Sequence, residues 1–337
     1  MTDRPRSPGR RRLLAGLGAA AAAGFPRRPG AAGLAEAARA YDDRLRSVVV
    51  ARGDAVVEDL RLGGPPLDTP VNVKSVSKTM VALLLGVAIE RGHVPSVGAR
   101  LGDVAPRLVP RGADERVADL TLEDLVTMRA GLERTSGANY GGWVSSRDWV
   151  AAALSRPFVA EPGERFLYST GSFHVLGAVL AEATGRSLHA LARDWLGRPL
   201  GIAVPPWTRS PRGRYLGGNN MALSPLALAT IGRMMLAEGR WQGAQVVPAE
   251  WVARSWEPRV TSPWSGDGYG YGWFLTRLGG VECAYARGYG GQMLYVLPEA
   301  GLTVAITSDP TRPARSRGYV GDLERLVAET VLPAHAG

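Results

Sequence analysis

Strand-like patterns lie at both ends of this 337-residue chain, and mostly helical patterns lie between them. Near the start, residues 47–51 and 55–62 flank the turn Arg52-Gly53-Asp54, which predicts a β-hairpin. The last hundred residues contain four more strand-like runs joined by glycine-containing turns: residues 269–278, 281–286, 292–297 and 302–307. This order favours an α+β fold, in which both chain ends build one sheet and a helical domain is inserted between them.

Helix-capping residues and apolar periodicity divide the chain further. Residues 75–89 are almost continuously apolar and stop at Gly92, which predicts a buried helix ended by a glycine. Other helices are predicted from Thr121, at 171–184, from Ser224-Pro225 to Gly239, and at 320–331. We therefore assign about 40–90 and 240–335 to the sheet part of one domain, 40–335, and about 91–239 to its helical insert.

The net charge of +9 is concentrated at the start of the chain. Residues 1–28 hold seven arginines and one aspartate, and the remaining chain has no basic run that would follow a phosphate backbone. We therefore predict no nucleic-acid partner. Arg10-Arg11-Arg12, followed by Leu13-Leu14 and a short apolar stretch, resembles a twin-arginine export signal.

We predict that residues 1–32 are this signal and that the protein is exported, either periplasmic or extracellular. A basic tail on a cytoplasmic protein is the alternative. The apolar stretch is too short to act as a stable membrane anchor. The sequence leaves the oligomeric state open.

The sequence offers few residues for a metal site or a disulfide. Cys283 is the single cysteine, so it has no partner for an internal disulfide or a cysteine-based metal site. The four histidines lie too far apart in the sequence to form a metal-binding pair on one helix. We predict no metal and no organic cofactor, with the histidines as core or surface residues.

Lysine is scarce in this chain: of 40 basic residues, only Lys74 and Lys78 are lysines. Burial lowers the pKa of a lysine enough to give a free amine near neutral pH, whereas arginine stays charged. Lys78 lies three residues after Ser75, so both side chains share one helix face. Free N–H groups at the start of the helix would stabilise an oxyanion beside Ser75.

This spacing predicts a serine nucleophile with a lysine base. The alternative is that Ser75 only caps the helix while Lys78 extends to the surface.

Three motifs in order carry a resemblance to a known superfamily. They are Ser75-Val76-Ser77-Lys78, Tyr168-Ser169-Thr170, and the run from Ala286 to Gln292, Ala-Arg-Gly-Tyr-Gly-Gly-Gln. Over roughly residues 40–335 the chain resembles the serine β-lactamases and penicillin-binding proteins, most closely the class C-like esterases and 6-aminohexanoate-dimer hydrolases. The resemblance implies an antiparallel sheet flanked by helices, with an inserted all-helical domain.

The resemblance also implies roles for individual residues. Ser75 would accept the acyl group, Lys78 would be its proton partner, and Tyr168 would be a second base with a phenol acidified by nearby cations. The backbone N–H groups of Ser75 and Tyr289 would form the oxyanion hole. The substrate-binding candidates are Thr170, Tyr140, Gly288 and Arg287.

Two departures from the superfamily pattern affect the substrate. Thr170 replaces an asparagine, and Ala286 replaces a cation, so we discount β-lactam hydrolysis. Arg287 is a candidate replacement for the cation, but strand alternation puts it on the opposite face from Ala286. Tyr140 matches the tyrosine that donates to the leaving amide in 6-aminohexanoate-dimer hydrolases, or is an ordinary loop tyrosine.

The sequence therefore predicts a serine hydrolase that cleaves an ester or amide of a small molecule or short peptide through an acyl-enzyme. One alternative is a D-amino-acid peptidase or carboxypeptidase, or a weak β-lactamase. Another is a catalytically idle relative that only binds a peptide or cell-wall fragment, an alternative that Thr170 and Ala286 keep open.

Overall fold

The structure is a computed structural model that describes residues 30–41 and 43–335. The predicted export signal, residues 1–32, lies outside the described residues except for the backbone of its last three. In the described part of the chain, no helix is both long enough and apolar enough to cross a membrane.

Eight strands form one antiparallel sheet in the order β2-β1-β12-β11-β10-β9-β8-β7. These strands are β1 (Leu45–Arg52), β2 (Ala55–Arg61), β7 (Val260–Thr261), β8 (Gly268–Tyr269), β9 (Phe274–Leu278), β10 (Val281–Gly288), β11 (Gln292–Leu297) and β12 (Leu302–Ser308). Two short pairs lie outside it: β3 (Val71–Asn72) with β4 (Ala222–Leu223), and β5 (Arg240–Trp241) with β6 (Ala244–Gln245). Because β1 pairs with β12, in a register that puts Val48 opposite Ile306, both chain ends build one sheet. The predicted α+β fold is confirmed.

The longer α-helices are α1 (Gly30–Arg39), α2 (Val76–Glu90), α8 (Thr170–Thr184), α11 (Pro225–Leu236) and α12 (Ala249–Ser255). Shorter ones are α3 (Leu101–Val104), α4 (Arg116–Asp119), α5 (Leu122–Val126), α6 (Tyr140–Val144), α7 (Trp149–Leu154), α9 (Leu188–Leu191), α10 (Arg198–Leu200), α13 (Gly321–Leu326) and α14 (Leu332–His335). The 3₁₀ turns are Pro106–Leu108 and Gly137–Asn139, and the π-helical turns are Ala192–Gly197, Ser316–Val320 and Val327–Val331.

Helix α2 is the element that positions the site. It is buried from Val76 to Ala88 and packs between the sheet, at β10 and β11, and helix α8. Its end follows the prediction: Gly92 has a φ of +70°, and the N–H groups of Gly92 and His93 return to carbonyls of the last turn. Its start, at Ser75, therefore lies where the sheet meets the helices.

One predicted strand, 269–278, is two strands in the structure. A turn separates β8 from β9, with Gly270 N–H bonded to the Trp273 carbonyl. Gly272 has a φ of +78°, and a Cβ on Gly270 would overlap the Ser255 carbonyl oxygen. These glycines let the chain turn and pack closely against the backbone at Ser255, and this turn interrupts the strand.

Helix α11 lies within 91–239, the range predicted for the helical insert, but it packs on the sheet. Its neighbours are β1, β11 and β12. A Cβ on Gly232 would overlap the Thr303 side chain, so the missing side chain permits this close packing. The helices that pack around α8, by contrast, include α2, α5 and α7.

Candidate active site

The start of α2 opens into a cavity of about 550 Å³. Ser75 is the N-cap residue of the helix, and its hydroxyl makes no capping hydrogen bond. Lys78, three residues later, is only 2% exposed. The alternative of a capping serine with a surface lysine is therefore wrong, because the serine hydroxyl is free of the cap and the lysine is buried.

The Lys78 amine has three hydrogen-bond neighbours. Its Nζ lies 3.0 Å from Ser75 Oγ, 2.5 Å from the carbonyl oxygen of Gly218 and 3.3 Å from Thr170 Oγ1. None of these neighbours carries a negative charge, so nothing offsets the cost of burying an ammonium ion. Burial lowers the pKa of Lys78 to about 7.

The neutral form of this amine fits the site well. A neutral amine has two hydrogens and one lone pair, and Gly218 O and Thr170 Oγ1 accept hydrogen bonds from the two hydrogens. The lone pair then faces Ser75 Oγ. This is the arrangement in which an amine accepts the proton of a serine hydroxyl.

The Lys78 amine lies over the ring of Tyr168, with Nζ 4.8 Å from the ring centre. The expectation that nearby cations acidify its phenol is wrong. Burial raises the pKa of Tyr168, and it outweighs the hydrogen bond with the Ser75 side chain and the charge of Arg287, which both lower that pKa. The phenol therefore keeps its proton at neutral pH.

The end of β10 lies directly against the segment before Ser75. A Cβ on Gly288 would overlap the Val73 carbonyl oxygen and lie 3.1 Å from the Lys74 Cβ. In the described part of the chain, no hydrogen bond involves the backbone N–H of Ser75 or of Tyr289, the residue after Gly288. Glycine thus permits a close contact that brings two free N–H groups to the same cavity.

The remaining substrate-binding candidates also line this cavity. The Tyr140 hydroxyl accepts a hydrogen bond of 3.1 Å from Asn219 Nδ2, which leaves the phenol hydrogen free to donate. Arg287 lies on the opposite strand face from Ala286, as alternation predicts, and donates to Ala314 O and Ser316 Oγ. Its guanidinium still borders the cavity, whereas Ala286 is buried.

Three contributors to the site were not predicted from the sequence: the Gly218 carbonyl, Asn219 and Ser136. All three come from loops that show only glycine-rich or polar composition in the sequence. His174 lies beneath one of these loops, fully buried, with its Nδ1 3.4 Å from the Gly217 N–H. Burial lowers the pKa of His174 to about 4, so it is a neutral core residue, and the described residues contain no cluster suited to a metal ion.

A sequence model of the Beta-lactamase family matches residues 19–329. One relative is the D-alanyl-D-alanine-carboxypeptidase/endopeptidase AmpH of Escherichia coli strain K12, 28% identical over 155 residues. That match covers 44% of this chain and 39% of AmpH, so it spans less than half of the relative's length.

Solved structures with the same fold include a hydrolase and two proteins described as putative enzymes. A putative 6-aminohexanoate-dimer hydrolase from Bacillus anthracis has a TM-score of 0.72 at 17% identity and covers 87% of this chain and 80% of its own. EstCE1, a hydrolase with promiscuous acyltransferase activity, has a TM-score of 0.72 at 17% identity, covering 91% and 99%. A putative β-lactamase from Bacteroides dorei DSM 17855 scores 0.73 at 18% identity, covering 89% and 97%. At these identities, the structures establish the fold.

Proposed function

The chain belongs to the β-lactamase family, and we propose that within this family it is a serine hydrolase that cleaves an ester or amide bond through an acyl-enzyme on Ser75. The observation that carries the proposal is the buried, uncompensated amine of Lys78, 3.0 Å from Ser75 Oγ. A serine hydroxyl is a weak nucleophile unless a base takes its proton.

In the proposed first step, Ser75 Oγ attacks the carbonyl carbon of the substrate while its proton passes to Lys78 Nζ. The tetrahedral oxyanion accepts hydrogen bonds from the N–H groups of Ser75 and Tyr289. The α2 dipole adds to this stabilisation, because its positive end points at the same place.

Tyr168 is proposed to carry the proton onward. Since its phenol stays protonated at neutral pH, it acts as a donor rather than as a phenolate base. It donates its hydrogen to the leaving oxygen or nitrogen, and the proton held by Lys78 replaces it. Water then attacks the acyl-enzyme and gives one proton to Lys78 and Tyr168, and the same groups deliver that proton to Ser75 Oγ as the acid product leaves.

The experiment is steady-state hydrolysis of a panel of 4-nitrophenyl esters and anilides by wild-type protein and by Ser75→Ala. Ser96→Ala is the matched control, because Ser96 is an exposed serine away from the cavity. We expect Ser75→Ala to lose at least ~10³-fold in kcat/KM and Ser96→Ala to match wild type. Equal turnover by Ser75→Ala would refute the acyl-enzyme.

A second candidate, a carboxypeptidase acting on D-amino-acid peptides, is supported by the charges around the cavity. Lys74, Arg134 and Arg287 border it, no acidic side chain does, and none of the three forms an ion pair within the described residues. A cleft lined by one sign of charge attracts a substrate carboxylate. The similarity to AmpH points the same way.

This second candidate is tested by measuring the release of D-Ala from a peptide that ends in D-Ala-D-Ala and comparing it with the same peptide carrying an amidated C-terminus. Release of D-Ala from the free acid alone would favour the carboxypeptidase. Turnover of neutral esters without any release of D-Ala would favour the simple esterase.

A further inference from the structure

Ser136 lies on the cavity wall opposite α2, in the loop before α6, and it has an unusual set of partners. Both of its hydrogen-bond neighbours belong to Thr170. The backbone N of Thr170 lies 2.8 Å from Ser136 Oγ, and Thr170 Oγ1 lies 2.9 Å from it.

The direction of the hydroxyl–hydroxyl bond follows from the partners of Thr170. Thr170 is buried, and its Oγ1 already accepts a hydrogen from Lys78 Nζ at 3.3 Å. Because Lys78 Nζ donates to Thr170 Oγ1, the amine does not accept the Thr170 hydroxyl hydrogen, and Ser136 Oγ is the other hydrogen-bond neighbour of that hydroxyl among the described residues. A buried hydrogen without an acceptor is costly, so Thr170 donates and Ser136 accepts.

Ser136 Oγ therefore accepts two hydrogen bonds, one from the Thr170 N–H and one from the Thr170 hydroxyl. A serine hydroxyl has two lone pairs and one hydrogen, so both lone pairs are in use. Its own hydrogen meets no acceptor among the described residues. The side chain is partly exposed and borders the cavity, so this hydrogen is available to a molecule bound there.

We propose that the Ser136 hydroxyl is a substrate-binding donor, which recognises an ether or carbonyl oxygen a few bonds from the scissile carbonyl. The proposal rests on the hydrolase function proposed above. Three consecutive hydrogen bonds, through Thr170 and Lys78, join Ser136 Oγ to Ser75 Oγ, which keeps the donor close to the reacting centre. Substrates with such an oxygen are the class that this wall selects.

The experiment uses two matched substrate pairs in which an ether oxygen replaces one methylene group. 4-Nitrophenyl methoxyacetate is compared with 4-nitrophenyl butanoate, and 2-ethoxyethyl acetate with pentyl acetate. Each kcat/KM is divided by the ester's rate constant for hydroxide hydrolysis, so that intrinsic reactivity cancels. Wild-type protein, Ser136→Ala and Ser136→Thr are measured, with a melting curve for each.

In at least one pair, we expect wild-type protein to prefer the oxygen-containing ester by about 3- to 10-fold, the usual effect of one neutral hydrogen bond. Ser136→Ala should abolish this preference, and Ser136→Thr, which keeps the hydroxyl, should retain it. Ser136→Ala also removes an acceptor for Thr170, and this loss lowers kcat/KM equally for both esters of a pair. The ratio of the two kcat/KM values therefore reports only the hydrogen bond that the Ser136 hydroxyl donates to the substrate.

Two outcomes separate this inference from the proposed function. If wild-type protein turns over all four esters with the same ratios as Ser136→Ala, the donor role is wrong and the hydrolase function stands. If a folded wild-type protein hydrolyses none of them and a broader ester and anilide panel also fails, the hydrolase function itself is wrong and the inference falls with it.

Discussion

The two sides of the cavity are built in different ways. On one side, here called the helix wall, residues 75–78 form the start of a buried helix, where Ser75 lines the cavity and Lys78 is hydrogen-bonded to it. The other side, the loop wall, is built by the segments 134–140, 217–219 and 262–264, which are distant in the sequence. They bring Arg134, Ser136, Gly137, Tyr140, Asn219, Ser262 and Trp264 to the cavity. The helix wall holds the nucleophile and base by local geometry, whereas the loop wall depends on long-range packing.

This difference suggests that the two walls have different roles in the reaction. The reaction at the helix wall requires the i, i+3 spacing of Ser75 and Lys78 and the burial of the lysine amine, so few substitutions of these two residues are tolerated. The loop wall contacts whatever group the substrate carries, so changes there should alter selectivity more than the chemical step. If the walls differ in this way, substitutions of the helix-wall residues that carry the reaction lower the rate more than substitutions on the loop wall.

Replacing the helix-wall base gives the largest effect. Lys78→Met keeps the length and apolar stem of the side chain, so the fold should persist. We expect kcat/KM to fall by ~10³-fold, because Lys78 Nζ takes the serine proton and Tyr168, which is also hydrogen-bonded to Ser75, already holds its own proton. The comparison variant is Lys74→Met, which changes the chain's other lysine and should lose far less.

Retention of more than a tenth of the wild-type rate by folded Lys78→Met would contradict the assignment of the base. Circular dichroism and a melting curve for each lysine variant establish that the protein is folded before the rates are compared.

The pH dependence of kcat/KM tests the state of the same amine. Burial lowers the pKa of Lys78 to about 7, and only the neutral amine accepts a proton. The rate should therefore fall about tenfold for each unit below pH 7, by ~100-fold at pH 5. The measurement uses a non-titrating ester between pH 5 and 8, and a flat profile there would contradict the account.

Gly288→Ala tests how closely β10 must approach the helix wall. The added methyl group would overlap the Val73 carbonyl oxygen, so β10 and the Tyr289 N–H must move away from Ser75. We expect a loss of ~10-fold or more in kcat, since removal of one oxyanion donor costs 10²–10³-fold.

Gly280→Ala is its control at the other end of β10. Gly280 has a φ of +83° and open space around it, so alanine should lower stability by ~1 kcal/mol without changing kcat. Equal kcat values in the two variants would show that the contact at Gly288 is unimportant for the reaction.

Trp264→Ala, on the loop wall, should give the smallest effect. This side chain is 48% exposed, borders the cavity and stacks under the Arg134 guanidinium at 5.4 Å. We expect KM for an apolar ester to rise about 3-fold with kcat unchanged. A large fall in kcat instead would show that the loop wall also takes part in the chemical step.

The helix wall was predictable from the sequence because its residues are close together in the sequence and lie in one helix. The i, i+3 spacing of Ser75 and Lys78, the apolar run of α2 and its glycine end all act within one helix. The strands β10 to β12 were similarly predictable from their apolar runs and turns. The resemblance to the family then supplied Tyr168 and Thr170, which no local pattern joins to Ser75.

The loop wall was not predictable, because its residues meet only through tertiary packing. The Gly218 carbonyl is a backbone group that any residue supplies, and it becomes a partner of Lys78 only when its loop crosses α8. The pKa of Tyr168 was mispredicted for a related reason: the resemblance suggested nearby cations, but burial, which depends on the whole fold, dominates.

The most direct test of the central claim is the intact mass of the protein after exposure to a fluorophosphonate, measured for wild type and Ser75→Ala. If Lys78 activates Ser75, the wild-type protein gains the mass of one phosphonyl adduct and Ser75→Ala gains none. An unmodified, folded wild-type protein would contradict the claim and favour a relative that binds its ligand without cleaving it.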